Sequence, residues 1–462
     1  MTFVLLAGLA ILALSAVLMR VRYGPSWFLL PFGMLVIAAL VYHGLSVVVI
    51  RITDADLFSV SRPSREWADL GALLSAIALL VLTTGYFMGN RRRSGPPALD
   101  ASVVARILDW RVLLLALVPL FLATVAGEGY ASGRALGAED AFLTGVAYQL
   151  YVPVAVLAGV AFIARRPSTV LPTVGATALL MALAGQRLEI ILGVAAILAV
   201  VSRLGIRLPT RRLVLAGIAA IMLVFAIGGV RAADERGLFQ SDSGVGVRLG
   251  ALWDGLTNPA IEVGPQGTGS LLGEAALRLD ANDWAGNVAI AMSSNPEGTG
   301  IRPVLGAMMG QVPSALYSGK LDVPIENRDP ETAAIVYLSV PQIDYLPGHV
   351  AYLMGSFPFP WFLLFMLAIG AALGWLDSRA AHSAGGLGIL GYVVLAVSAL
   401  FFERGIVGYA SAARTFLLLA PLILIMSARG MHRRDSAGGK PPIPGVSLGL
   451  DVSLDRVRST TL

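Results

Sequence analysis

Long apolar runs alternate with short charged stretches through most of this 462-residue chain. A helix that crosses a bilayer needs about 20 mostly apolar residues, and runs of that kind occur both early and late in the sequence. They predict eleven transmembrane helices, at approximately 2–19, 26–50, 69–89, 112–127, 140–164, 168–184, 188–204, 213–230, 350–376, 386–402 and 406–427. The expected fold class is therefore an all-α polytopic membrane protein.

One segment interrupts the pattern between the eighth and ninth predicted helices. Residues 231–347 contain no window that is apolar enough to cross a bilayer, and they carry a formal charge of −7 from seven basic and fourteen acidic residues. The chain is thus expected to comprise helices in 1–230, a large external loop at 231–347, further helices in 348–428 and a tail at 429–462. The tail is rich in Pro, Ser and Gly, which predicts a disordered cytoplasmic segment that the chemistry does not need.

Composition agrees with this division. Hydrophobic residues make up 56% of the chain and charged residues 14%, whereas soluble domains carry about 25% charged residues. The absence of cysteine excludes disulfides, thiolate metal sites and thiol nucleophiles. Arginine outnumbers lysine 32 to 2, a bias that is typical of GC-rich bacterial genomes. The sequence pI of about 9.6 does not require a nucleic-acid partner, because the basic residues lie in short loops between apolar runs.

The positions of those basic residues predict an orientation. Arginine clusters follow the first, third, fifth and seventh predicted helices, at 20–22, 91–93, 165–166 and 203–212. Because basic loops stay in the cytoplasm, the N-terminus and the 231–347 loop are expected outside and the C-terminus inside. The first apolar run is followed by its charges, whereas a signal peptide has them in front, so it is expected to be retained as a helix.

Three short elements carry a resemblance to a known family. Gly185-Gln186-Arg187, between two predicted helices, resembles the Gly-x-Arg element of the O-antigen ligase and Wzy-type polysaccharide polymerase superfamily. The stretch 312–320, with Pro313, Tyr317 and Lys320, is similar to the Pro-aromatic-Lys segment of Wzy-type polymerases. His349 lies where ligase relatives carry a histidine, at the entry to the next helix. The Arg-x10-Gly spacing that some of these polymerases have is absent from the loop.

This resemblance implies a membrane glycosyltransferase that polymerises oligosaccharide repeat units at the outer face of the bacterial plasma membrane. Both donor and acceptor would be glycans on polyprenyl diphosphate, and a flippase and a chain-length regulator would be partners. No cofactor is expected, since the sequence has no nucleotide-binding glycine motif. No metal site is expected either, because the external acids do not cluster with histidines.

Arg187 and Glu189 are candidate site residues because a charge at the membrane face is costly and usually functional. Arg187 opens a predicted helix, whose N-terminal N–H groups favour anions, and its planar guanidinium suits phosphate oxygens. A catalytic role at the diphosphate is therefore expected for Arg187, with Glu189 binding substrate. The alternative is an arginine that reaches the lipid headgroups with Glu189 as its partner.

His349 is the only histidine expected outside, and an ordinary pKa of about 6.5 suits it to act as general base. It could equally anchor a helix at the interface. Asp344 is the alternative base or the group that orients the imidazole. Trp253 and Trp284 could stack on sugars or pack within the loop. The remaining candidates for substrate binding are Arg231, Arg302, Lys320, Arg404 and Arg414.

Two other functions stay open. Asp54 and Asp56, in the first external loop, would suit a transferase that adds single sugars from a lipid-sugar donor, although such a pair is also a common solvated loop end. A lipid-linked glycan exporter or flippase would need no catalytic residues. The absence of inverted pairs of broken helices argues against a secondary transporter of the usual kind.

Overall fold

The computed structural model is helical wherever it describes regular structure. The described residues are 2–53, 65–92, 95, 97–126, 141–183, 187–206, 280–312, 319, 322–327, 330–340, 348–383, 385–400 and 405–436, with single positions at 211, 215, 218, 219, 247, 249, 250, 253 and 257.

The described residues form sixteen α-helices, α1 to α16 in chain order. The first nine are α1 Phe3–Tyr23, α2 Pro31–Ala39, α3 Ser46–Thr53, α4 Arg65–Gly89, α5 Ala101–Ile107, α6 Trp110–Ala126, α7 Ala141–Arg165, α8 Val170–Leu183 and α9 Arg187–Arg203. The others are α10 Asn282–Ser294, α11 Arg302–Gly310, α12 Pro330–Leu338, α13 His349–Ser356, α14 Trp361–His382, α15 Gly386–Leu400 and α16 Gly405–Ser436. A π-helical segment, Leu40–Leu45, joins α2 to α3.

Five stretches of this described chain are long and apolar enough to cross a membrane: Phe3–Tyr23, Pro31–Thr53, Glu66–Gly89, Trp361–His382 and Gly408–Ala428. Shorter apolar helices accompany them at Trp110–Leu120, Leu150–Arg165, Pro167–Met181, Ile190–Arg203 and Gly386–Leu400. The chain is a helical membrane protein. The predicted span at 213–230 lies almost entirely outside the described residues, so the count of eleven remains a prediction.

The predicted span at 350–376 differs most from the structure. It is divided into the short α13 and the longer α14 by the sequence Phe357-Pro358-Phe359-Pro360. Proline lacks a backbone N–H and clashes with the preceding turn, so a helix stops there. Beyond the break, α14 continues past the predicted end at 376 to His382. At the C-terminus α16 also runs on to Ser436, into the predicted tail.

Helix α4 lies at the centre of the bundle, packed against α1, α10 and α14. Its contact with α14 uses glycines spaced four apart on both helices, Gly85 and Gly89 facing Gly370 and Gly374. A Cβ at any of the four would collide with backbone atoms of the other helix. Such small residues let two membrane helices approach closely, and this approach brings the side chains around Tyr86 against those around Asp377.

The arginine clusters come together at one end of the bundle. Arg22 donates to the Asn90 carbonyl at 3.0 Å, Arg92 pairs with Asp377, and Arg203 donates to the Ala381 carbonyl. We call this the arginine-rich end. Because α4 runs away from Arg65 towards it, Arg51, Asp69 and the start of α10 lie at the opposite end. The sequence predicted that these clusters share one side, and these three contacts agree.

Candidate functional site

The predicted external segment contributes helices that pack on the opposite end of the bundle. Helix α10 lies along the first turns of α4, where Gly71 faces the Asn282 carbonyl and Gly286 faces the Trp67 carbonyl too closely for any Cβ. It also contacts α12 and α13. Trp284 is only 2% exposed and belongs to the buried core, whereas Trp253 is 67% exposed. Of the two roles expected for Trp284, stacking on sugars and packing, its burial favours packing.

A buried polar chain fastens α10 to the membrane span that contains His43. His43 Nδ1 lies 2.9 Å from Asn282 Oδ1, and the Asn282 amide donates at 2.7 Å to Asp280 Oδ1. Because the amide nitrogen points at the carboxylate, the Asn282 oxygen accepts a hydrogen bond from His43 Nδ1–H. Both residues are at most 1% exposed. His43 also lies in the π-helical segment, a feature that is frequent at functional sites.

An ion pair lies beside the same helices. Asp69 is 1% exposed, accepts a hydrogen bond from Thr2 and pairs with Arg51 at 2.6 Å. The charge of the Asp69 carboxylate is therefore compensated by Arg51. The contacts of Asp69 with Arg51 and Thr2 link α3 and the start of α1 to α4. The sequence predicts spans at 26–50 and 69–89 without a contact between Arg51 and Asp69, because hydropathy does not show which partner a charge at a helix end will find.

His349 is the first residue of α13, directly after Gly348, whose φ of 68° only glycine adopts readily. The imidazole is fully buried and meets the Tyr409 ring edge-to-face at 5.2 Å between ring centres. Burial lowers the pKa of His349 to about 3. The ring is thus a neutral base at physiological pH, and it is enclosed between α13 and α16 away from any open surface.

Arg302 and Arg414 lie on helices that contact each other. Arg302 is exposed at the start of α11, which packs against α16 and α12. Arg414 is partly buried inside the membrane span Gly408–Ala428 of α16. Its Nε is buried without a hydrogen-bond partner among the described residues, and no carboxylate within ion-pair distance of it occurs there. The structure therefore gathers the elements that carry His349, Arg302 and Arg414.

Arg187 is the first residue of α9, as the sequence predicted, and Glu189 is in its first turn. Helix α9 packs against α7, α8 and α15, and α15 packs against α16. Helix α15 therefore lies between α9, which begins at Arg187, and α16, which carries Arg414. The other candidate residues lie outside the described residues: Asp344, Arg231, Lys320 and Arg404, together with Asp54 and Asp56.

A charged cluster that sequence analysis did not find lies at the arginine-rich end. Asp377, which is 2% exposed, accepts from Tyr86 and pairs with Arg92 at 2.7 Å. Asn90 donates to the Tyr86 hydroxyl at 2.9 Å and accepts from Arg92. Arg203 lies with its guanidinium 5.0 Å from the Tyr392 ring centre. The glycine pairs of α4 and α14 were the sequence signal for this contact.

In the described part of the chain no three His, Asp or Glu side chains lie close enough to hold a metal ion together. No family model, curated protein or solved structure matches the chain. The helices that carry Arg302, Arg414 and the neutral imidazole of His349 meet near one end of the membrane bundle. Helices of the 231–347 segment pack over this end.

Proposed function

We propose that this protein polymerises oligosaccharide repeat units linked to polyprenyl diphosphate, at the outer face of the bacterial plasma membrane. The observation that carries the proposal is Arg414, a cation inside a membrane span with no carboxylate partner in the described chain. Charges within membrane segments are costly and mark substrate sites. An anionic lipid-linked substrate would supply the missing negative charge.

In the proposed reaction a hydroxyl of the acceptor glycan attacks the anomeric carbon of the donor. The bond between that carbon and the diphosphate oxygen breaks, polyprenyl diphosphate leaves, and the hydroxyl proton passes to a base. Negative charge grows on the leaving diphosphate, so cations aimed at it stabilise the transition state. Arg187 and Arg414 are the proposed diphosphate contacts, and Arg231, Arg302, Lys320, Arg404 and Glu189 bind the rest of the substrate.

The proposed base is His349 or Asp344. His349 is neutral and so able to accept a proton, but it is fully buried between α13 and α16. A base role therefore requires these helices to separate when the acceptor binds. The break at Pro358 and Pro360 leaves α13 eight residues long and separate from α14. The proposed base role therefore includes a displacement of α13, whose eight residues are all buried in the bundle.

The decisive experiment follows product length on a gel, with purified protein in liposomes and lipid-linked repeat units as the only substrate. A polymerase gives a ladder of products. Arg414→Gln should slow the ladder by roughly 10²–10³, the usual effect of removing one group that stabilises a charged transition state. The exposed Arg20, at the arginine-rich end, provides the control Arg20→Gln. A parental sample that leaves the repeat unit unchanged excludes polymerisation.

Orientation can be measured separately because the chain contains no cysteine. Ser293 is exposed on α10 and Ser168 is exposed beyond the arginine-rich end of α7. Ser293→Cys should react with an impermeant thiol reagent in intact cells, and Ser168→Cys should react only after lysis. The reverse labelling pattern would contradict an active site at the outer face.

The second candidate is an exporter of lipid-linked glycan, favoured by the buried pair of Arg92 and Asp377 in the bundle. Ionisable residues inside membrane bundles often line transport pathways. The same liposomes distinguish the two, because an exporter moves intact repeat units across the bilayer without lengthening them. The single-sugar transferase depends on Asp54 and Asp56, so replacing both by Asn should abolish that activity and spare a polymerase.

A further inference from the structure

A groove of about 320 Å³ lies between α6, α7 and α8. Its walls are almost entirely apolar and come from matching stripes of the three helices, including Trp110, Leu114, Ala155, Phe162, Pro172 and Ala176. Leu114, Pro172 and Ala176 are exposed, so the groove opens on the surface of the described chain. All three helices contain apolar stretches of 10–17 residues, and the open side faces the surroundings of the bundle.

The direction of the groove follows from the helices. Trp110 begins α6 and Phe162 lies in the last turn of α7, with 5.3 Å between their ring centres, so both mark the arginine-rich end. From Ala155 to Phe162 the wall of α7 spans about 10 Å at 1.5 Å per residue. This length is about a third of the ~30 Å hydrocarbon layer, so the groove has room for part of one lipid chain.

The rim at this end is basic. Arg111 lies 5.8 Å from the Trp110 ring centre, Arg165 and Arg166 follow Phe162, and Arg106 lies in the last turn of α5, which packs on α7. All four arginines are exposed. Two acids are nearby, Asp100 and Asp109, and each caps a helix by accepting from a backbone N–H. The rim therefore keeps an excess of positive charge directly beside an apolar slot.

We propose that this groove binds an anionic phospholipid of the surrounding leaflet, with one acyl chain between α6, α7 and α8 and its phosphate among the rim arginines. Basic pockets between membrane helices recognise anionic headgroups in this way. The charge selects the headgroup and the apolar slot selects a hydrocarbon chain, so a soluble phosphate would satisfy only half of the site. The site is at the opposite end from the proposed diphosphate contacts and does not depend on them.

The test uses purified full-length protein in detergent and native mass spectrometry, with phosphatidylglycerol and phosphatidylcholine of identical chains as probes. The parental protein should retain phosphatidylglycerol preferentially. Arg165→Gln combined with Arg166→Gln should weaken retention by roughly 10–30-fold, since each basic residue near the surface contributes about fivefold. The control removes two exposed arginines elsewhere, Arg20→Gln with Arg379→Gln.

The groove itself is tested by Ala176→Phe, which fills it from α8. Leu179→Phe is the matched control, because Leu179 is exposed on the same helix and does not line the groove. Ala176→Phe should lose phosphatidylglycerol while keeping the parental unfolding temperature, and Leu179→Phe should keep both. Equal retention of the two lipids, or undiminished binding in Ala176→Phe, overturns the proposal. A dimer in the spectrum that Ala176→Phe abolishes would show a second copy of the chain as the occupant instead.

Discussion

The two ends of the bundle treat charge differently. At the arginine-rich end, Arg92 meets Asp377 at 2.7 Å, and Tyr86 and Asn90 complete the contacts around them. Towards the opposite end, Arg414 has no carboxylate partner in the described chain, although it lies inside a membrane span. The buried Arg203 at the arginine-rich end also has no carboxylate partner in the described chain, but it donates to the Ala381 carbonyl. Charges that the protein itself satisfies hold helices together, whereas a charge without a protein partner is available to a ligand. The comparison therefore separates an assembly centre from a candidate substrate site.

The opposite end is not uniform either. The partly exposed Arg51 pairs there with the buried Asp69, and His43 bonds to Asn282. These contacts fasten α10, part of the 231–347 segment, to the membrane helices. The candidate site thus has a fixed side at α4 and α10, and a second side at α13 and α16 with the neutral His349 between them. Substitutions on the fixed side should affect stability, whereas those on the second side should also affect activity.

The largest effect is expected from Asp377→Asn. It leaves the Arg92 guanidinium, 8% exposed, without its counter-ion, and breaking a buried ion pair from one side costs on the order of 3–5 kcal/mol. Thermal unfolding in detergent should show this loss, with the exposed Asp322→Asn as control. Replacing both partners, by Asp377→Leu with Arg92→Met, should recover much of it. A single variant as stable as the parent would mean that the charge centre does not hold the bundle together.

Asp377 also shows where sequence analysis succeeded and where it failed. Hydropathy predicted helices wherever an apolar run was long, because insertion into a membrane depends on local composition. The same hydropathy pattern placed Asp377 and Arg92 in loops, since a charged residue usually marks the end of a membrane span. Their pairing depends on two helices distant in sequence, α4 and α14. Only the four-residue spacing of Gly85 and Gly89, repeated in Gly370 and Gly374, indicated that contact.

The break between α13 and α14 was also readable, because Pro358 and Pro360 lie inside the predicted span. Average hydropathy concealed it, since Phe357 and Phe359 keep the window apolar. The bond between His43 and Asn282 had no comparable signal: the two residues are 239 positions apart. Arg187 was correctly expected to open a helix because Gly185 and Gln186 separate two apolar runs. Local features were therefore predictable, and long-range polar partners were not.

The next largest effect is expected at Arg187. Arg187→Lys keeps the charge and loses the planar pair of donors, so polymerisation should slow by roughly 10²–10³, equivalent to about 2–4 kcal/mol. Unfolding should not change, because the proposed role is towards substrate. Arg20→Lys, in an exposed arginine, is the control for activity. Ladders formed at the parental rate would make Arg187 an interfacial anchor and assign the diphosphate to other cations.

A smaller effect is expected at the fixed side. Asn282→Leu removes the acceptor for His43 Nδ1–H and the donor to Asp280. An unsatisfied buried polar group costs about 1–3 kcal/mol, so the unfolding temperature should fall measurably. Asn295→Leu, at an exposed position just after α10, should leave it unchanged. If the two variants unfold alike, the polar chain does not fasten α10 to the bundle.

The smallest effect concerns pH and His349. Burial lowers the pKa of the folded-state imidazole to about 3, whereas the ordinary value is about 6.5. Below pH 6.5 the unfolded chain binds a proton that the folded protein does not. Stability from this residue is therefore complete above about pH 6.5 and declines as pH falls towards 3, by just under 1 kcal/mol at pH 6.

His349→Gln should remove that part of the pH dependence, whereas His382→Gln, in an exposed histidine, should retain it. Unfolding measured at pH 7.5 and pH 6 for the three proteins provides the comparison.

The lowered pKa of His349 also bears on catalysis. A base that is already neutral at pH 6 gives no loss of activity on titration near pH 6.5. If parental polymerisation does fall between pH 7 and pH 6 while His349→Gln is slow at both, the imidazole titrates in an opened state with bound acceptor. A flat profile together with a slow His349→Gln would keep it as a base of low pKa, and a fast His349→Gln would transfer the role to Asp344.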